Sequence, residues 1–313
     1  MIRVILRRLG ATVAVMAVVA VIVFMLIHLS PGDPAAIIAG DRATSADIAH
    51  IRSSLGLDRP LVVQFALWIG RLLRGDLGVS LFSGVPVATL VAGRIEPTLS
   101  IALMTTLFSV TTAIPLGILA AWQVGRWADR VIMAFAIAAF SFPIFLIGYG
   151  LVWGFALRLR WLPVQGFTRL ANGVVPDLLH LILPSLSLGL VYMALLTRMT
   201  RSTMIEVLGE DYVRTARAKG LHESAVLLRH ALKNAAVPIV TTIGSGLALL
   251  IGGVVVTESV FAIPGIGRLT IDAVTQRDYP VIQGVILLAS LAYVLLNLAI
   301  DLSYRLFDPR IRA

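Results

Sequence analysis

The sequence predicts an all-α, polytopic membrane protein with six transmembrane helices, and three observations predict it. Apolar residues fill 58% of the 313 positions and charged ones only 14%, with a mean hydropathy of +0.93. Soluble domains sit near half apolar and a quarter charged. Six apolar runs stand out, Leu9–Leu29, Leu99–Trp122, Val131–Leu157, Leu183–Thr197, Pro238–Val256 and Val281–Ile300. A helix needs about 20 such residues to cross roughly 30 Å of hydrocarbon, so the fourth and fifth runs are the short ones. The third observation is that Lys and Arg collect in alternate connections between these runs.

The first run follows Arg3, Arg7 and Arg8, as a secretory signal would. Its apolar stretch is longer than a signal core, and no small-x-small cleavage site follows, so it is read as a retained helix. Ser30–Thr98 is too long for a hairpin and carries as many acids as bases. Within it Thr44 and Ser45 cap a short helix through Ser54. Pro60 then opens Leu61–Leu73, with Leu61, Phe65, Trp68, Ile69 and Leu72 at helical spacing. That helix either lies in the interface with Trp68 at headgroup level or packs into a small extracytoplasmic subdomain. The chain thus divides into 1–98, one transmembrane helix plus an extracytoplasmic segment, and 99–313, a five-helix core.

Pro143 lies inside the third run and predicts a kink, because its missing N–H breaks a backbone bond. Gly150 and Gly154 have the spacing of a helix-packing contact. Between the fifth and sixth runs, Pro264-Gly-Ile-Gly267 and the amphipathic Leu269–Thr275 predict a turn and a short surface or re-entrant helix.

Basic residues orient the bundle. Arg3, Arg7 and Arg8, then Arg126 and Arg130, then the cluster from Arg198 to Lys233, then Arg305, Arg310 and Arg312 all fall on one side. The positive-inside rule makes that side cytoplasmic, with both termini. The same distribution, alternating with membrane runs, explains the net charge of +9 without a nucleic-acid partner.

The connection at about 201–237 is the most informative segment. Glu206–Lys219 has no Pro and many helix formers, with Asp211 and Thr215, and Arg214 and Ala218, sharing faces. Gly220 suits the left-handed position that ends a helix. His222–Asn234 reads as a second helix, stopped before Pro238. Two short helices hinged at a glycine make a knob on which a soluble partner can dock.

Several segments together resemble the first-type permease subunit of dipeptide, oligopeptide and nickel ATP-binding-cassette (ABC) importers. They are Ile27-His-Leu-Ser-Pro-Gly-Asp-Pro34, Leu55-Gly-Leu-Asp-Arg-Pro-Leu61, Gly75-Asp-Leu-Gly78, Trp161-Leu-Pro163, Asp211 to Leu221 with Arg229 to Asn234, Pro264 to Gly267 with Arg277-Asp-Tyr-Pro280, and Asp308-Pro-Arg-Ile311. The resemblance implies a type I importer permease in the bacterial inner membrane. It also implies a homologous second permease, two cytoplasmic ATP-binding subunits, an extracytoplasmic solute-binding protein, and a cargo of peptides, with nickel or glutathione-like solutes as alternatives. ATP would be bound by the partners, and this chain would hold no cofactor or metal. The implied ATPase-docking residues are Glu210, Asp211, Arg214, Thr215, Ala216, Lys219, Gly220 and Leu221. Ala216 and Gly220 match the Ala and Gly of the docking-loop signature; Arg214 and Thr215 replace its acidic first position and first Ala. Asp211 and Glu210, one turn earlier, are the acids at hand.

Other classes fit less well. Only Lys219 and Lys233 are lysines, and neither lies in a phosphate-cradling Gly-x-x-x-x-Gly-Lys-Ser/Thr loop. No His-Glu-x-x-His or Gly-x-Ser-x-Gly is present, and the five histidines are scattered. An ion-coupled secondary transporter would place an ionisable group at mid-membrane, whereas Glu258 and Asp301 fall near helix ends.

Overall fold

The computed structural model describes residues 2–29, 36, 44–54 and 56–307. Ser30–Pro34 and Asp308–Ile311, which carry two of the family-like segments, lie outside the described residues. The helices are α1 (Ile2–Leu29), α2 (Ser45–Ser54), α3 (Leu61–Leu72), α4 (Val87–Trp122), α5 (Trp127–Ser141), α6 (Ile144–Leu151, continued by a π-helical stretch to Arg158), α7 (Val174–Leu208), α8 (Asp211–Ala218), α9 (Glu223–Val260), α10 (Ile266–Gln276) and α11 (Tyr279–Phe307). Among the described residues five helices are long and apolar enough to cross a membrane, and α5 with α6 meets the same test as a pair bent by 103°, the geometry of a broken span or of a re-entrant loop. The break falls at Phe142-Pro143, where Phe142 is extended (φ −87°, ψ 136°), as the missing N–H of Pro143 predicts.

Contacts divide the chain into two compact units, Met1–Arg94 with Leu269–Val294, and Ile95–Arg268 with Leu295–Ala313. Each unit joins two stretches that are separate in the sequence. In the first unit, α3 turns Trp68, Ile69 and Leu72 onto Ala20, Val23 and Leu287. Phe24 meets Phe65 edge-on at 5.2 Å and Trp68 at 5.7 Å. One face of α3 is therefore packed against protein, while Val62 on the other is 80% exposed. His28 bonds Gln64 Oε1 at 3.1 Å, and the Gln64 amide donates to the Leu57 and Arg59 carbonyls. The Asp278 carboxylate takes the Ser80 hydroxyl and, at 3.1 Å, the Leu81 N–H, which fixes the tight loop closed by the Val79–Pro86 bridge.

The second unit is built around α7. Within its most apolar stretch 56% is buried, against 17–33% in the other spans. Lipid tails give apolar helices no reason to leave them for each other, so such contacts rely on close approach and hydrogen bonds. Gly189 of α7 sits under Phe108 of α4, and its carbonyl takes the Ser109 hydroxyl at 3.0 Å. Gly246 of α9 lies under the Tyr192 ring, whose hydroxyl donates to the Ile243 carbonyl at 2.7 Å. Ala136 and Ala139 of α5 pack on Ala194. At one end Arg201 grips the buried Asp129 with two bonds of 2.6 and 2.8 Å, and the Gly125 N–H completes that carboxylate at 2.9 Å.

Candidate functional site

The exposed segment after α7 holds the expected docking residues, and its local structure explains their positions. The sequence predicts one helix over Glu206–Lys219. Instead α7 ends at Leu208, Gly209 and an extended Glu210 (φ −71°, ψ 148°) intervene, and α8 starts at Asp211. At the far end of α8, Gly220 adopts φ +74°. Its N–H bonds the Arg217 carbonyl at 2.9 Å and the Leu221 N–H reaches Ala216 at 3.3 Å, the paired bonds of a Schellman turn. His222 then caps the next helix, its Nδ1 accepting the Ser224 N–H.

That next helix does not stop before Pro238. It continues to Val260, with a π-helical stretch at Val226–Ala231. Pro238 removes only the bond to Asn234, while Ala235 and Ile239 on the same helix are buried in the core of the second unit. The second arm of the elbow is thus the membrane helix itself. Helix α8 is held on it by Val213 and Ala216, which pack on Val226 and Leu208. Across the turn Arg217 pairs with Glu223 at 2.7 Å.

Seven of the eight expected docking residues, Glu210, Asp211, Arg214, Thr215, Lys219, Gly220 and Leu221, are exposed together on this elbow. Ala216 is not among them; it is 6% exposed and faces inward, so its part is to fasten α8. Arg214 and Asp211 pair at 3.1 Å with both side chains largely in solvent. The Thr215 hydroxyl is turned back to the Asp211 carbonyl at 3.0 Å. Tyr212 also belongs to this surface, although the sequence does not single it out; partial burial pushes its phenol above the ordinary range, and a hydrogen bond with Asn234 pulls it back. Among the described residues no group of three His, Cys, Asp or Glu is placed to hold a metal ion.

A second constellation has no forecast in the sequence. Glu258, expected merely near a helix end, is completely buried. Its Oε1 accepts the Thr98 hydroxyl at 2.6 Å and its Oε2 the Arg268 N–H at 2.9 Å. The signal available in the sequence was Pro264-Gly-Ile-Gly267, because both glycines lie against this carboxylate.

Long apolar helices, one of which carries an exposed charged elbow at its start, define a multi-pass integral membrane protein. Residues 113–313 match the binding-protein-dependent transport system inner membrane component, and residues 1–102 match the N-terminal model of such membrane components. The chain belongs to this family. It is 54% identical over 308 residues to the probable peptide ABC transporter permease protein y4tP of Sinorhizobium fredii, covering 98% of each. To the glutathione transport system permease protein GsiC of Salmonella typhi it is 44% identical over 312 residues, 100% of this chain and 99% of that one. The fold resembles an inward-facing structure of the MetNI methionine ABC transporter, with a TM-score of 0.59 at 17% identity over 70% of this chain and 96% of that one.

Proposed function

We propose that this chain is the permease subunit of an ABC importer, carries peptides across the cytoplasmic membrane, and has no catalytic group of its own. Two ATP-binding subunits dock on the Glu210–Leu221 elbow, a homologous second permease completes the pathway, and a solute-binding protein delivers cargo from outside. Both termini and the elbow face the cytoplasm, in keeping with the basic residues of that side.

The observation that carries this reading is the elbow's construction. A short charged helix is locked by a Schellman turn and a three-residue apolar contact onto the start of a membrane helix 38 residues long. An ordinary solvated connection needs neither lock. The cargo follows from the peptide permease of Sinorhizobium fredii; the GsiC relatives favour glutathione, itself a small peptide, as the second reading.

The chain has no cysteine, so a single one at Arg214, whose side chain is 72% exposed, is a clean crosslinking site. It is expected to capture an ATP-hydrolysing subunit in native membranes. Uptake by the purified chain alone, or failure to capture any nucleotide-binding partner, would overturn the reading.

A further inference from the structure

Glu258 stands in the last turn of α9 and is 0% exposed. Both of its carboxylate oxygens accept hydrogen bonds, one from Thr98 of α4 and the other from the backbone of Arg268 in the first turn of α10. Thr98 is itself engaged on both sides of its hydroxyl: its oxygen accepts the Ile266 N–H at 2.8 Å while its O–H donates to Glu258. The turn between α9 and α10 is shaped to this carboxylate. A Cβ on Gly265 would collide with it, and one on Gly267 would meet the Val255 Cα at 2.6 Å. The α10 N-terminus adds its own partial positive charge beside the anion.

An amide cannot reproduce the bonds of this group as they stand. Gln would either turn its NH2 onto the Arg268 N–H, or donate it to the Thr98 oxygen, which forces the Thr98 hydroxyl proton away from the bond it now makes and removes the charge. Nothing about mere space-filling explains why two donors, two glycines and a fully desolvated acid meet here. The same helix begins at the elbow: Glu223–Val260 rises about 57 Å at 1.5 Å per residue.

We propose that Glu258 is a positioning residue for transport, the point at which displacement of α9 at its elbow end is handed to the Pro264–Gly267 turn and to α4. The proposal rests on the reading of the elbow as an ATPase dock. A rod transmits motion only to what is fastened at its other end. The carboxylate is that fastening, reaching two neighbouring segments through one side chain.

The test uses the assembled transporter, in nanodiscs, with two single-cysteine reporters in this cysteine-free chain. One is Leu228→Cys, at a side chain 58% exposed near the elbow. The other is Ser259→Cys, exposed beside Glu258, where the serine hydroxyl bonds only its own helix at Val255. Maleimide labelling is timed with and without ATP plus vanadate. Both reporters are expected to change rate with nucleotide. In Glu258→Gln the elbow reporter keeps its response while the Ser259 reporter's response falls about tenfold, the loss expected for a hydrogen bond to a charged group. Thr98→Val does the same, and the double variant is no worse than either single one. A Ser259 reporter that keeps its full response in Glu258→Gln overturns the proposal. So does loss of assembly and of both responses together, which is what a merely structural role produces. An elbow reporter silent in the otherwise unaltered complex overturns the docking reading itself, and this proposal with it.

Discussion

Replacing Gly220 separates backbone strain from steric contact, because a Cβ there meets no heavy atom within 4 Å while φ is +74°. The whole cost of a substitution is therefore conformational. Holding an ordinary L-residue in the left-handed region costs about 1–2 kcal/mol, with a β-branched side chain at the upper end. The Arg217–Glu223 pair cannot make up that difference. Its side chains are 42% and 33% exposed, and a pair in such surroundings contributes about 0.2–1 kcal/mol. Gly220→Val should thus open the turn, and the Leu221 amide, bonded to Ala216, should exchange with deuterium about 5–30-fold faster. Gly220→Asn, which tolerates this region, should stay close to the unaltered chain. Exchange measured by mass spectrometry in detergent decides it. If the Val and Asn variants exchange alike, or Val leaves the rate unchanged, the elbow is not held by this turn.

Other perturbations have equally definite outcomes. Arg201→Ala strands Asp129, 4% exposed, with the Gly125 N–H among its remaining donors. It should destabilise the bundle by about 3–5 kcal/mol, and Asp129→Asn combined with Arg201→Gln should recover part of that in a detergent melting curve. Gly246→Ala drives a methyl into the Tyr192 ring, which its bond to Ile243 holds in place, and should cost about 1–3 kcal/mol in the same assay. Asp278→Ala removes the acceptor of the Leu81 N–H and the Ser80 hydroxyl, so amide exchange at Leu81 should rise while that of the buried α7 backbone does not.

The order of the membrane helices was legible because lipid-facing segments are monotonously apolar: five of the six predicted runs fall in long apolar helices and the third in the bent pair α5–α6. The fourth was the least legible, for a physical reason. Its apolar run ends at Thr197, yet Ser185, Ser187, Thr197, Thr200 and Thr203 are all buried in a helix reaching Leu208. A span surrounded by other helices does not need to be greasy, and small hydroxyls let neighbours approach. The second span was cut short at Leu99 because Arg94, Glu96 and Pro97 look like loop residues, but the helix starts at Val87, and Glu96 accepts the Leu170 N–H at 3.1 Å. The elbow's glycine was legible because a positive φ leaves a mark on residue choice. Pro238 misled, since the rule that helices halt before proline is a rule for water. The burial of Glu258 was not legible because its partners lie 160 and 10 positions away, and the Pro264–Gly267 turn marked only a tight turn.

Those hidden contacts bear on how such a bundle can work. Several close approaches in the second unit place a glycine beneath a side chain: Gly189 under Phe108, Gly246 under Tyr192, which its bond to Ile243 tethers, and Gly253 under Leu188. Packing of this kind has few intermediate arrangements, because a shift of even one methyl width produces a clash or a void. The helices of this unit are therefore disposed to move as bodies and not to bend by degrees. The exceptions lie where the backbone itself departs from α geometry, at Phe142-Pro143 and at the π-helical stretches Val152–Arg158 and Val226–Ala231. The last of these begins four residues beyond the elbow's cap at His222, so the π-helical stretch of α9 is at the end where a partner would push, and the length beyond it, from Leu232 to Glu258, is α-helical with one backbone bond missing at Pro238.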